Sequence, residues 1–356
     1  MDNALHTTAR PVSGPQVWRG PEMAKRRAEW ERRLTPAEVA AMDAAVRRLD
    51  PTGLDIAAMT PGDFAVPELE PLIREMHDAV LKGRGFILVR GLPVDRWSPR
   101  QAGIAYFGLG AHLGEAMTQN RKGHVLGHVK DIGLDYNAPT NRGYQTAARL
   151  PYHTDSSDLV GLLCLKPAKA GGLSTIVSSG ALYNAMLERA PDLLELLCQP
   201  VYRDRRGEVP AGADDWYAVP VFNRMPGGGL VTSYVRSAMR KAQRFPQVPR
   251  LTPELDAACD LLDSLADSDE FHLDMDFAPG DIQLLNNHWL MHSRTAFEDF
   301  PEVERRRHLF RLWLACPDGP ELPDSFTSHW QGANAAGRPI GIKVPGVVPN
   351  APLDAE

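Results

Sequence analysis

Leu150-Pro151-Tyr152-His153-Thr154-Asp155-Ser156 is the stretch on which the reading of this chain turns. Residues two apart on an extended strand point to the same side, so an imidazole at 153 and a carboxylate at 155 would converge on one point. The run behind it, Leu159-Val160-Gly161-Leu162-Leu163-Cys164-Leu165, is apolar enough for a buried strand. One nitrogen donor and one oxygen donor, with other positions left open, are two-thirds of the facial triad that holds non-haem Fe(II). His-x-Asp alone is common by chance. The third donor has to come from elsewhere in the chain.

Working outward, the two sides of this stretch differ in texture. Upstream the pattern is helical: Pro21 to Leu49, with Thr35-Pro36-Ala37-Glu38 as a fresh start inside it, then Val66 to Leu81, stopped by Lys82-Gly83-Arg84-Gly85. Phe86 to Gly91 is a short buried strand, and Ser98-Pro99 to Leu113 a further helix with Gly114 as its C-cap. From about Leu126 the chain turns to short strands and loops, including a loop over 137–143. Gly171-Gly172 is a tight turn feeding the β-branched strand that ends at Val177. Helices are expected over 179–197 and 252–266, and strands over 217–222, 231–235, 271–277, 282–287 and 307–314. Past Pro317 the chain is rich in Gly and Pro and reads as a surface wrap or mobile tail. Short strands with helices inserted around them favour a β-sandwich or jelly roll over a doubly wound sheet. There is no Gly-x-Gly-x-x-Gly after a strand and no phosphate-binding Walker loop.

Bulk properties narrow the function. A chain of 356 residues with 24% charged residues is that of a globular protein with a sizeable core. A formal net charge of -6 gives no basic footprint for nucleic acid. The four cysteines are scattered without Cys-x-x-Cys spacing, which speaks against a disulfide framework or a structural zinc site. No apolar signal core opens the chain and no run approaches a membrane span, so a cytoplasmic protein is expected.

The third donor lies within Asn286-Asn287-His288-Trp289-Leu290-Met291-His292-Ser293-Arg294, where His288 and His292 compete. Downstream, Arg307 and Arg311 share one strand face with Leu309 between them. A guanidinium fork at the end of an apolar face suits a bidentate grip on a carboxylate.

Taken in order, His-x-Asp, Gly-Gly-x-Ser, Pro-Gly-Asp, His-x-Arg and Arg-x-x-x-Arg make this chain resemble the taurine dioxygenase/2,4-dichlorophenoxyacetate dioxygenase family of Fe(II)/2-oxoglutarate-dependent oxygenases, over roughly residues 85–314. The resemblance implies an α+β fold with a mainly β core, a double-stranded β-helix (jelly roll) flanked by helices. It divides the chain into a helical extension (1–84), the oxygenase core (85–316) and a tail (317–356), all one structural domain. It implies iron held by His153, Asp155 and His292, the last selected because the distal histidine is followed two residues on by arginine. His288 is then a core or neighbouring histidine. Arg307 is implied as partner of the 2-oxoglutarate C5 carboxylate, with Ser174 standing where relatives often have threonine and Thr175 as the alternative hydroxyl. Arg311 falls where relatives often place a residue facing the primary substrate, against an ion pair at the barrel mouth, and Arg149 shares parity with His153. The implied reaction converts 2-oxoglutarate and O2 to succinate and CO2 while hydroxylating, desaturating or cyclising a small anionic or amino-acid-like substrate. Relatives that halogenate lack the carboxylate ligand, which Asp155 supplies here. The partners expected are a small molecule, with no nucleic acid and no membrane, and a homo-oligomer is allowed. The rival classes are a metal-dependent hydrolase and a non-catalytic jelly-roll binding protein.

Overall fold

The structure is a computed structural model and describes residues 10–135, 142–209, 212–327 and 332–355; most of the loop expected over 137–143 lies outside these. Two antiparallel-rich sheets carry the molecule. The major one has seven strands in the order Glu31–Arg33, Phe86–Arg90, Ile282–Asn286, Leu159–Lys166, His308–Ala315, Glu115–Ala116, with Leu126–Val129 also paired to His308–Ala315. The minor one has four, in the order Leu273–Met275, Ser174–Ser178, Leu290–Arg294, Leu150–His153.

Strand alternation sorts the apolar side chains into layers. Phe86, Leu88, Val160, Ile176, Leu285, Leu290 and Trp313 form one buried layer shared by both sheets. Their sequence neighbours Ile87, Val89, Leu284 and Leu312 face the other way, together with Phe310, into a cluster with Met42, Leu72, Val80, Ile104 and Phe107 from the helices Pro36–Leu49, Glu70–Leu81 and Pro99–Ala111. Behind the minor sheet, Tyr152, Val177 and Met291 pack on the helices Ser179–Arg189, Pro191–Leu197 and Pro253–Ala266. The minor sheet is thus sandwiched, and its inner face looks across at the major sheet.

Local chemistry explains where elements begin and end. Thr35 and Glu38 form a reciprocal capping box at the start of Pro36–Leu49, as do Ser98 and Gln101 for Pro99–Ala111. Three expectations need correction. The helical pattern through residue 33 gives way to a strand, Glu31–Arg33, because Trp30 is buried in the layer between the sheets and Arg90 pairs with Glu31 at 3.1 Å. The single helix expected over 179–197 breaks at Ala190, since Pro191 disfavours the helical backbone in the residue before it. Gly114 is not a C-cap, for the helix ends at Ala111 with His112 in that place. Gly114 is needed for close packing instead: a Cβ there would stand 2.6 Å from the Ala315 carbonyl oxygen.

The Gly/Pro-rich segment after Pro317 wraps back over the fold. Thr118 bridges to Gly341 and His124 to Asn350. Arg338 reaches the interior, where its Nε donates to Asp158 Oδ2 at 2.8 Å and its Nη2 to the other oxygen. Asp158 is fully buried and also accepts from His288 Nε2 at 2.7 Å and the Cys316 amide at 2.8 Å. Burial alone would raise its carboxyl, but His288 and Arg338 more than offset this and hold it below the ordinary range. A second anchor is a histidine pair. His128 Nε2 donates to the Pro352 carbonyl at 3.0 Å, so its Nδ1 must accept from His308 Nε2 at 2.7 Å.

Two outcomes follow from these anchors. Arg338→Met leaves the buried Asp158 charge undercompensated and should lower unfolding free energy by about 3 kcal/mol, read from the urea midpoint. Burial pushes His128 down to about 4 and His308 down to about 3, so the folded state binds fewer protons than the unfolded one, whose imidazoles titrate near 6.5. The pair's stabilisation is therefore present above about pH 6.5 and is lost as pH falls toward those values; His308→Gln should flatten the unfolding-energy profile across that window.

Candidate metal and cosubstrate site

The register of the minor sheet brings the histidines together. His292 on Leu290–Arg294 is the cross-strand partner of His153 on Leu150–His153, and the ring centroids lie 4.3 Å apart. Directly opposed residues on neighbouring strands share a face, so both imidazoles point inward with Leu290 rather than outward with Met291. Asp155 lies just past the end of its strand, not on it. Its amide donates to Asn287 Oδ1 at 3.1 Å, which turns the carboxylate back to the two rings. One donor atom from each of His153, Asp155 and His292 lies within 4.8 Å of the others.

The protonation states suit a metal. Burial pushes His292 down to about 3, helped by His153 and opposed by Asp155, and burial likewise lowers His153. Both rings are neutral near pH 7. Burial raises Asp155, yet the Arg311 charge, with the Trp313 indole N–H, outweighs it and holds the carboxylate below the ordinary range. His153 Nδ1 donates to the Pro151 carbonyl at 2.8 Å, which leaves the Nε2 lone pair for a ligand role. Trp313 Nε1 donates to Asp155 Oδ2 at 3.0 Å. Neutral, neutral and anionic donors on one face, backed by oriented partners, fit Fe(II) by donor chemistry.

These residues line a cavity of about 590 Å³, within the usual range for ligand sites. Arg307 enters it from just before the strand His308–Ala315, with its backbone amide held by Asp299 Oδ1 at 2.7 Å. Its Nη1 is buried with no hydrogen-bond partner among the described residues, and burial pushes the group down to about 10, against Cys164 and Asp299. A buried guanidinium left so is costly unless a ligand anion completes it. Gly172, at φ 72, makes room: a Cβ there would lie 3.1 Å from Arg307 Nε. Ser174 also lines the cavity and donates to Gln283 Oε1 at 2.9 Å, whereas the Thr175 hydroxyl turns to Asp274 at 2.8 Å.

The other residues singled out by sequence divide. Arg311 lines the cavity, donates from Nε to Gln119 Oε1 at 2.7 Å, and stands 3.8 Å from Asp155 Oδ2. Its guanidinium lies over Tyr144 and Trp313. His288 is bonded to Asp158, outside the cluster. Arg149 is corrected: it precedes its strand, is half exposed, pairs with Asp267 and does not line the cavity. The four cysteines are free thiols, three of them buried. Sequence reasoning missed Trp313, whose shared parity with Arg311 was the available signal, and Arg142, Arg206 and Lys241, which carry none. No helix among the described residues is long and apolar enough to cross a membrane.

A facial set of two histidines and a carboxylate beside an unanswered buried arginine defines the class of non-haem iron oxygenases that use an anionic cosubstrate. Comparison with known proteins agrees. Residues 45–313 match the model of the "Taurine catabolism dioxygenase TauD, TfdA family", and the chain belongs to that family. It is 30% identical to FR-33289 synthase of Streptomyces rubellomurinus over 93% of this chain and 98% of that protein. It is also 30% identical to a uridine-5'-phosphate dioxygenase of Amycolatopsis sp, over 71% of this chain and 95% of that protein. A crystal structure of asparagine oxygenase with Fe(II), 2S,3S-3-hydroxyasparagine and succinate shares the fold, with a TM-score of 0.62 at 16% identity over 88% of this chain and 99% of that chain. The protein is an Fe(II)/2-oxoglutarate-dependent dioxygenase, an oxidoreductase that takes iron as cofactor and 2-oxoglutarate and O2 as cosubstrates. Trp313→Phe removes the donor on Asp155 and should weaken Fe(II) binding about tenfold, measured by anaerobic metal titration.

Proposed function

We propose that the protein hydroxylates an unactivated C–H bond of a small anionic or amino-acid-like substrate, with iron held by His153, Asp155 and His292. One observation carries this reading: Arg307, whose buried Nη1 has no partner among the described residues, lines the same cavity as the cluster of metal donors. A hydrolytic metal site or a simple binding protein gives that guanidinium no task. The two facing sheets are read as the halves of a double-stranded β-helix, with the helices before Phe86 and the segment after Cys316 packed against this core.

Each residue has a role. Arg307 grips the C5 carboxylate of 2-oxoglutarate, and the Ser174 hydroxyl, which donates to Gln283 Oε1 in this structure, would turn from it to donate to the same group. Arg311 is a positioning residue first: it holds Asp155 ionised and turned toward the histidines, and it borders the substrate space. Trp313 and the layer behind it keep that end of the cavity dry. When bound, iron and 2-oxoglutarate supply the oxidising power, with succinate and CO2 as the companion products. Retention of Asp155 favours hydroxylation, or desaturation or ring closure, over halogenation. The substrate class draws support from the relative named for uridine-5'-phosphate and the structure holding hydroxyasparagine, both small and polar.

Anaerobic titration of the Fe(II)-loaded protein with 2-oxoglutarate should produce the weak visible charge-transfer band of a chelated cosubstrate. Asp155→Ala should abolish it and Arg307→Ala should shift its midpoint at least tenfold, as loss of a charge-assisted bidentate bond requires. A folded, iron-loaded protein that shows no band would overturn the assignment.

A further inference from the structure

Of the three metal donors, Asp155 is the one whose place the sheet register does not set. It stands in the link of residues 154–158 between the strands Leu150–His153 and Leu159–Lys166, so both its backbone and its carboxylate need outside support. A distant segment, residues 338–342, supplies that support by two separate routes. Three of its members, Pro339, Gly341 and Ile342, also line the cavity.

The first route runs through the backbone. Asn287 grips the link at three points: its Oδ1 accepts from the Asp155 amide at 3.1 Å, its Nδ2 donates to Ser157 Oγ at 3.0 Å, and its own amide donates to the Asp158 carbonyl at 3.0 Å. The link ends in the Asp158 carboxylate, which Arg338 reaches with Nε at 2.8 Å and with Nη2. His288, next to Asn287, donates to the same carboxylate at 2.7 Å. Arg338, Asp158, Asn287 and the Asp155 backbone are thus one continuous set of bonds.

The second route sets the direction of charge. Asp155 Oδ2 faces Arg311 Nη1 at 3.8 Å. The fully buried Gln119 holds Arg311 at both ends, accepting from its Nε at 2.7 Å and donating to its carbonyl at 2.9 Å. Thr118, the residue before, is paired with the distant segment: its carbonyl accepts from the Ile342 amide at 3.0 Å and its hydroxyl donates to the Ile342 carbonyl at 2.6 Å. Gly341 permits this approach, since a Cβ there would stand 2.6 Å from the Thr118 carbonyl oxygen. Ile342 also packs on the layer that contains Trp313, the indole donor to Asp155.

A segment that served only as a wall could be held by apolar side chains, without the desolvation cost of a buried ion pair. Arg338 imposes one discrete geometry instead, and does so beside the metal donor that lacks a strand. We propose that residues 338–342 are a positioning element for Asp155. Arg338 acts through Asp158 and Asn287 on the backbone that carries the carboxylate. Ile342 acts through Thr118, Gln119 and Arg311 on the direction in which that carboxylate points. The proposal rests on the metal assignment above. None of Gln119, Asp158 and Arg338 lines the cavity, so their effect on a bound metal passes through Asp155.

The test is a metal titration of the full chain under native conditions. Ni(II) is the probe, because it binds nitrogen and oxygen donors more tightly than Fe(II) and keeps weak variants measurable. Arg338→Met, Gln119→Met and Gly341→Ala should each weaken Ni(II) binding about tenfold. In the Asp155→Gly protein, where two histidines remain as ligands, the same three changes should move the residual affinity by less than about twofold, since the residue they act through is gone. Leu72→Ala, in the remote helical cluster, opens a core cavity and should lower the urea midpoint with Ni(II) affinity unchanged. Equal weakening with and without Asp155 overturns the proposal, as does a loss of stability in the three variants with no loss of affinity. Failure of the unsubstituted protein to bind Ni(II) overturns the metal assignment and the proposal together. Binding that none of the three changes moves overturns the proposal alone.

Discussion

The cross-strand pairing of His292 with His153 is the constraint on which the rest of the site depends. A one-residue slip of either strand would turn an imidazole out into the helix-packed layer, in place of Met291 or Tyr152. That register is defended from both sides. Outward, Tyr152, Val177 and Met291 are bound to a helical cluster; inward, Ile176 and Leu290 belong to the layer shared with the major sheet. The apolar alternation that stabilises the sandwich is therefore the same alternation that aims the ligands. Stability and site geometry cannot be changed independently here.

Electrostatics adds a second level of order. The cavity keeps Asp155 charged and its neighbouring imidazoles neutral by opposing burial against a few placed charges, chiefly Arg311. Arg311 is itself held by Gln119 and by two aromatic rings, so its field is fixed in direction. Arg307 differs: its neighbours position it but leave Nη1 unanswered. One arginine thus shapes the site in its resting state, while the other waits for a ligand.

How much was legible in the sequence varies with the range of the interaction. The helix starts at Thr35, Ser98 and Thr252 are written in adjacent residues, and the structure forms caps at all three. The convergence of His153, Asp155 and His292 was readable from ordered motifs, although strand parity was the wrong reason for Asp155, which is turned by Asn287 after its strand has ended. Parity worked for Arg311, which lies on its strand; Arg307 and Arg149 each stand one residue before theirs, where alternation says nothing, and only the first lines the cavity. The cavity-lining Arg142, Arg206 and Lys241 were invisible. They come from loops and a short helix separated by dozens of residues, with no shared period or motif. The double anchoring of the segment after Pro317 was equally hidden, since Arg338 looks like any surface arginine until Asp158 is placed beside it.

That anchoring makes the site composite. Pro339, Gly341 and Ile342 form part of the cavity wall, and Arg338 closes on an aspartate 180 residues earlier in the chain. The strands that align the histidines all precede this segment, whereas the shelter over them is completed by it. A protease cut after Cys316 would therefore act on the dryness of the cavity through the wall it releases, and not directly on the strand register that aims the histidines.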